Sequence, residues 1–376
     1  MDTVLPTASP RSGNMLSYVW RHLEPFTERG LCPVDSLVLS WLAYTQLPAE
    51  AEQAGLNLCG WQGMPLRELY RAEYFHHYYA GLLGEADSLR LLTAVAASPR
   101  FRDLPVVGYR ECTDWQAQKQ FAAMTFRLLP NLSYVAFRGT DASLVGWKED
   151  FNLAFCCPVP SQSEAVAYLE EVAAQIDGEL LVGGHSKGGN LAVYAAASAP
   201  EAVQARVTQV CSHDGPGFLP EFLQTESYAR IVDKISKTVP QSSVVGLLLE
   251  DQEHPQVVRS KKSLIWQHDP FSWVVEGCDF AYVDSLAPAA RLVDSTLTAW
   301  LSDRSPKERE RFIDALYTVL ETVGAQTTQD LREGSWRKAP AVARAFAELD
   351  PETRSFTLQS LAALLPLGVK SVPGLL

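Results

Sequence analysis

Apolar residues recur at helical spacing through the first hundred positions and fall into short strand-like runs after about residue 105. Residues 35–42 open with Asp35, a capping residue type, and carry apolar residues (Leu37, Val38, Leu39, Trp41 and Leu42) at helical spacing. A second helix is expected over 66–83, where Tyr70, Tyr74, Phe75, Tyr78 and Tyr79 form an aromatic stripe suited to core packing, and a third over 87–97. Residues 1–100 show no strand pair. The runs at 106–110, 121–129 and 134–137 are rich in β-branched and aromatic residues and predict strands. Helix and strand then alternate: helices at 164–176, 187–198 and 221–235, strands at 178–183, 207–211 and 256–259. Beyond 285 only helices are expected, at 289–301, 307–322, 342–348 and 356–365.

Alternation of this kind implies an α/β fold with a mainly parallel sheet and helices on both faces. The expected organisation is a helical region over 1–100 packed on the core, an α/β core over 101–285 and a helical region over 286–376. No internal repeat and no low-complexity linker separates them.

The net charge of −12 over 376 residues argues against nucleic acid and anionic membrane surfaces as partners, since both require a basic face. No apolar run reaches membrane-spanning length, and residues 1–11 carry an acid and prolines where a signal peptide needs an apolar stretch. The greasy residues 361–376, broken by Pro366, Lys370 and Pro373, read as a docked tail. Seven cysteines without a C-x-x-C pair, two of them adjacent at Cys156-Cys157, suit free thiols in a reducing compartment, so a cytoplasmic location is expected. No H-E-x-x-H, Walker or dinucleotide pattern occurs, and neither metal nor cofactor is expected.

The chemistry concentrates at residues 180–190. Leu180-Leu181-Val182 runs into Gly184-His185-Ser186-Lys187-Gly188, followed at once by the helix-forming segment 191–197. Strand, sharp turn and helix with a serine at the apex make a nucleophile elbow, whose strained apex needs tiny neighbours on both sides. Ser186 is the candidate nucleophile. A serine nucleophile needs a base and an acid to orient it. Among seven histidines, His268 alone follows a strand on a loop C-terminal to the elbow. For the acid, Asp214 ends the strand after the elbow helix, on the same sheet edge as Ser186. Asp269 and Asp251 stay open as alternatives. Oxyanion donors are expected from the N–H of Lys187, after the nucleophile, and from Thr140, which could give its N–H and its hydroxyl at the end of Phe137-Arg138-Gly139-Thr140.

Phe137-Arg138-Gly139-Thr140, Trp147, Asp150 and Gly184-His185-Ser186-Lys187-Gly188-Gly189 resemble the class 3 lipases of the α/β-hydrolase fold. Over most of its length the chain more closely resembles a bacterial family of class-3-lipase-like proteins of unassigned function. The marks are Asp35-Ser36-Leu37, the G-H-S-K-G-G-N elbow, Asp214-Gly215-Pro216-Gly217-Phe218 and Gln267-His268-Asp269 with Trp273. The resemblance implies Ser186 as nucleophile, His268 as base and Thr140 and Lys187 as oxyanion donors. Two departures stand out. Lys187 replaces the family's usual leucine, and the stretch 238–244, where such lipases carry the acid, has no carboxylate. Either Asp214 supplies it, or Ser242 or Ser243 orients the base.

Leu144, Val145, Trp147, Phe151, Leu153 and Phe155 could form a lid over the cleft or plain core. The expected function is a serine hydrolase cleaving carboxylic esters, of small molecules or lipid-like acyl chains, through an acyl-enzyme. The alternative is a catalytically weak or inactive hydrolase-fold protein with a binding or regulatory role.

Overall fold

A computed structural model describes residues 12–369 apart from 83, 142, 253 and 323–334. Eight strands lie side by side in chain order in one sheet, and Val275–Glu276 and Asp279–Phe280 pair as a separate two-stranded sheet. β1 (Met64–Pro65), β2 (Pro105–Asp114), β3 (Lys119–Leu129) and β4 (Leu132–Phe137) pair antiparallel. From β4 onward, β5 (Glu179–His185), β6 (Val207–His213), β7 (Ile235–Pro240) and β8 (Gln256–Val258) pair parallel. Four of the seven pairings are therefore parallel. The short hairpin links between β2, β3 and β4 leave no room for a crossover helix, which is why that edge is antiparallel.

The helices are α1 (Met15–Arg21), α2 (Pro33–Leu42), α3 (Phe75–Tyr78), α4 (Glu85–Ala97), α5 (Leu144–Asn152), α6 (Pro160–Gln175), α7 (Lys187–Ser198), α8 (Glu201–Gln204), α9 (Pro220–Leu223) and α10 (Glu226–Ala229). After the sheet come α11 (Pro288–Ser302), α12 (Pro306–Thr322), α13 (Ser335–Glu348) and α14 (Pro351–Val369).

Strands in chain order make every crossover step the same way, and right-handed crossovers then put all the connecting helices on one face. Val135, Phe137, Leu180 and Val182 point to that face and pack with α6, α7 and α10 through Leu169, Leu191 and Tyr228. The alternate residues Tyr134, Ala136 and Leu181 point the other way. That face would be bare without the N-terminal helices: Met15, Val38, Leu42 and Leu92 of α1, α2 and α4 cover it. The chain thus has an α/β-hydrolase fold whose second helical layer is drawn from its N-terminal region.

Asp35 and Arg100 lock that layer. Both are fully buried, and the guanidinium donates to the carboxylate at 2.8 and 2.6 Å and to the carbonyls of Glu24, Arg29 and Gly30. Removing one partner of such a pair costs about 3–5 kcal/mol. Ser36 and Ser40 face the sheet, bonding His213 Nε2 (2.6 Å) and the Tyr134 hydroxyl (2.8 Å).

Three expectations change. The helix expected over 66–83 is instead two short 3-10 turns and α3, because the N–H groups of Leu66 and Arg67 are drawn to the carbonyls of Leu104 and Arg102. That docking also lets Met64–Pro65 pair with β2, so residues 1–100 do contribute a strand. The helix expected over 221–235 is broken at Thr225, whose side chain accepts from the N–H of Tyr228 and restarts the chain as α10; β7 begins at Ile235. The C-terminal helices build a small core of Trp300, Phe312 and Ile313 against Ala154 and Phe155 beyond α5. Residues 1–11 and 370–376, which carry the N-terminal reading and the end of the expected docked tail, lie outside the described residues.

Candidate active site

Parallel register sets the site. His185 pairs with His213 across β5 and β6, and His213 with Thr238 across β6 and β7. The next residues, Ser186 and Asp214, leave the sheet side by side, each held by a last bond: Ser186 N–H to His213 O (2.9 Å) and Asp214 N–H to Thr238 O (2.7 Å). Both adopt positive φ, 59° and 52°, which costs on the order of 1–3 kcal/mol at a non-glycine residue. Aspartate is one of the residue types that enter the left-handed region more readily than most others.

The elbow is as tight as its glycines demand. A Cβ at Gly184 would stand 2.2 Å from the Gly188 backbone, and one at Gly188 would stand 2.2 Å from Phe137 O. A Cβ at Gly139 would meet His185 O at 2.6 Å and the Ser186 Cβ at 3.0 Å. The end of β4 is thereby pressed against the elbow at Gly139, the residue before Thr140.

His268 closes the arrangement. Its Nε2 lies 2.9 Å from Ser186 Oγ and its Nδ1 lies 2.6 Å from Asp214 Oδ2. Asp214 is fully buried, and its Oδ1 accepts from the Ser243 hydroxyl (2.5 Å) and the Gly246 N–H (3.2 Å). The carboxylate-free stretch after β7 therefore contributes Ser243 as a partner of Asp214 rather than of the imidazole. Ser242 donates its N–H to Gln267 Oε1 (2.7 Å), one residue before His268. Asp269 faces away, capping the Phe271 N–H and pairing with Lys262. Asp251 pairs with Lys237.

His268 sits in a 3-10 turn pinned from three sides. Trp273 Nε1 donates to Gln267 O (2.8 Å), Gln267 Nε2 donates to Lys262 O (2.7 Å), and His185 Nε2 contacts His268 O at 2.9 Å. Because a carbonyl only accepts, His185 Nε2 carries the proton, leaving Nδ1 to accept from Tyr44 (3.2 Å). Burial holds the His185 imidazole well below its usual range. The His185 ring stands against that of the candidate base, 4.6 Å away centre to centre.

The N–H of Lys187 is the first of α7 and has no carbonyl behind it within the helix. Its side chain turns inward, 1 % exposed, with Nζ donating to Glu149 Oε2 (2.8 Å) and Gln120 O (2.9 Å). The Thr140 hydroxyl donates to Asp150 Oδ2 (2.6 Å), which commits that proton and leaves the Thr140 N–H as the donor available to a ligand. Burial pushes the Asp150 carboxyl up to about 6, against the opposing pull of Lys187 and Thr140. Asp150 was a mark of the family resemblance, given no role of its own; Glu149 is a residue that sequence reading missed. A run of charged residues inside an otherwise apolar stretch was the available signal. Among the described residues no group of three or more His, Cys, Asp or Glu is disposed to hold a metal ion.

A family model described as Mbeg1-like matches residues 95–318. Among solved structures, M37 lipase is 15 % identical with a TM-score of 0.35, over 56 % of this chain and 68 % of that one. Rhizomucor miehei lipase in its propeptide complex is 17 % identical with a TM-score of 0.35, over 65 % and 78 % respectively. Lip2 lipase from Yarrowia lipolytica is 14 % identical with a TM-score of 0.33, over 72 % and 87 %. No curated protein sequence matches the chain.

Proposed function

The chain belongs to the Mbeg1-like family, and on that footing we propose that it is a serine hydrolase that cleaves carboxylic esters through an acyl-enzyme. The observation that carries this reading is the unbroken line from Ser186 Oγ through both nitrogens of His268 to Asp214, at 2.9 and 2.6 Å. In the proposed reaction Ser186 Oγ attacks the ester carbonyl carbon while His268 Nε2 takes the hydroxyl proton. Asp214 holds Nδ1–H, fixing the tautomer and stabilising the imidazolium that forms. The oxyanion is received by the N–H groups of Lys187 and Thr140; each such donor is worth about 10²–10³ in rate. His268 returns its proton to the leaving alkoxide, and the alcohol departs. Water then attacks the acyl-enzyme by the same route and releases the acid and Ser186.

The substrate is an ester of a small molecule or a lipid-like acyl chain, and the resemblance to a bacterial class-3-lipase-like family with a G-H-S-K-G-G-N elbow belongs to this reading. All seven cysteines are free thiols, which supports a reducing, cytoplasmic setting. Among the described residues no helix is long and apolar enough to cross a membrane. The test is hydrolysis of p-nitrophenyl esters from acetate to palmitate by the wild type and by Ser186→Ala. Turnover by the wild type alone, with an optimum along the series, supports the reading and defines the acyl length. Equal turnover by both proteins refutes it.

A further inference from the structure

We propose that this site is permanently assembled and takes esters dissolved singly in water, because a buried ion cluster ties α5 to the residue after Ser186 and prevents it from swinging as a lid. The inference rests on the hydrolase reading above and names its substrate class. Glu149, at the middle of α5, is fully buried. Its Oε2 accepts from Lys187 Nζ (2.8 Å) and from the Gln120 N–H (3.0 Å), and its Oε1 accepts from the Ser161 N–H (2.8 Å). One carboxylate thus joins α5 to β3, to the start of α6 and to the start of α7.

Gln120 carries the connection on to the other oxyanion donor. Its carbonyl accepts from Lys187 Nζ (2.9 Å), its Oε1 from the Asp141 N–H (3.2 Å), and its Nε2 donates to Ser143 Oγ (2.7 Å). The residues on both sides of the proposed oxyanion position, Lys187 and the loop after Thr140, are braced by the same cluster. Glu149 is therefore a positioning residue.

The outer side of the segment is held as well. Lys148 pairs with Asp314 of α12, and Arg309 Nη1 donates to Ala154 O (2.8 Å). Swinging α5 outward would carry Glu149 away and leave the Lys187 ammonium without the carboxylate that pairs with it, a strongly unfavourable separation. The wall beside Ser186 therefore keeps one position whether or not a lipid surface is present.

The experiment is the rate at which a water-soluble tagged fluorophosphonate labels Ser186 with octyl glucoside below and above its micelle threshold. In that reaction Ser186 Oγ bonds to phosphorus, fluoride leaves, and His268 takes the proton. Rates within about twofold of each other on the two sides of the threshold are expected. Labelling that appears only above the threshold, or accelerates about tenfold there, overturns the fixed wall and leaves the hydrolase reading intact. No labelling on either side overturns both. In the same assay Glu149→Gln is expected to slow labelling about tenfold at unchanged helical content by circular dichroism, as displaced oxyanion donors would. A folded variant that labels as fast as wild type contradicts the positioning role, and if the variant fails to fold the wild-type comparison decides alone.

Discussion

His185 donates its Nε2 proton to the carbonyl oxygen of His268 across 2.9 Å, with the two rings 4.6 Å apart centre to centre. The residue before the proposed nucleophile therefore holds the backbone of the residue proposed as base. Replacing it leaves the substrate surface alone but frees the imidazole turn. His185→Leu is expected to lower kcat by about 10- to 100-fold with KM within about threefold, measured on the best p-nitrophenyl ester. A variant that changes KM alone contradicts this role.

The acid is decided by substitution. Asp214→Asn should keep the fold yet lose on the order of 10⁴ in kcat, because an amide cannot hold the Nδ1–H tautomer. Asp269→Asn should stay within about threefold of wild type, since its carboxylate serves a turn and Lys262. Ser243→Ala, which removes one donor to Asp214, should fall between the two. A collapse of activity in Asp269→Asn with Asp214→Asn active would reverse the assignment.

Gly184→Ala and Gly188→Ala place a methyl 2.2 Å from backbone atoms that have no room to move. Each is expected to destabilise the protein by about 2–4 kcal/mol, read as the shift in urea midpoint. Midpoints unchanged from wild type would mean that the elbow is looser than its geometry.

Buried titrating groups pull stability in opposite directions. Burial holds His213 down at about 3, so below its ordinary 6.5 the unfolded chain binds the proton that the folded chain refuses. Its contribution to stability is lost as pH falls from 6.5 toward 3. Asp150 is raised from 3.8 to about 6, so between those values the folded chain holds more protons and its contribution declines as pH rises. Thermal melting against pH should show Asp150→Asn gaining most, relative to wild type, above pH 6. His213→Asn should soften the acid loss. Parallel curves for all three proteins would contradict both assignments.

Where neighbouring residues dictate structure, sequence was a sufficient guide. The glycines around Ser186 announce a tight strand-to-helix turn, and α7 runs over the expected residues 187–198. Asp214 was one of several open acids because its partnership with His268 depends on the lateral register of β5, β6 and β7, which no local pattern encodes. The same is true of Glu149, whose partners lie on three other elements. Residues 66–83 misled for a related reason: an aromatic stripe at helical spacing was overridden by backbone pairing with residues 102–104. The role of the N-terminal helices follows only from strand order, which leaves one face of the sheet uncovered.

In the proposed reaction His268 activates Ser186, and every later step depends on that activation. It is tested most directly by intact-mass measurement after exposing wild type, Ser186→Ala and His268→Ala to a tagged fluorophosphonate. One adduct is expected on the wild type, none on Ser186→Ala, and labelling of His268→Ala slowed by at least about a thousandfold. A wild type that stays unmodified, or a His268→Ala variant that labels at the wild-type rate, would contradict it.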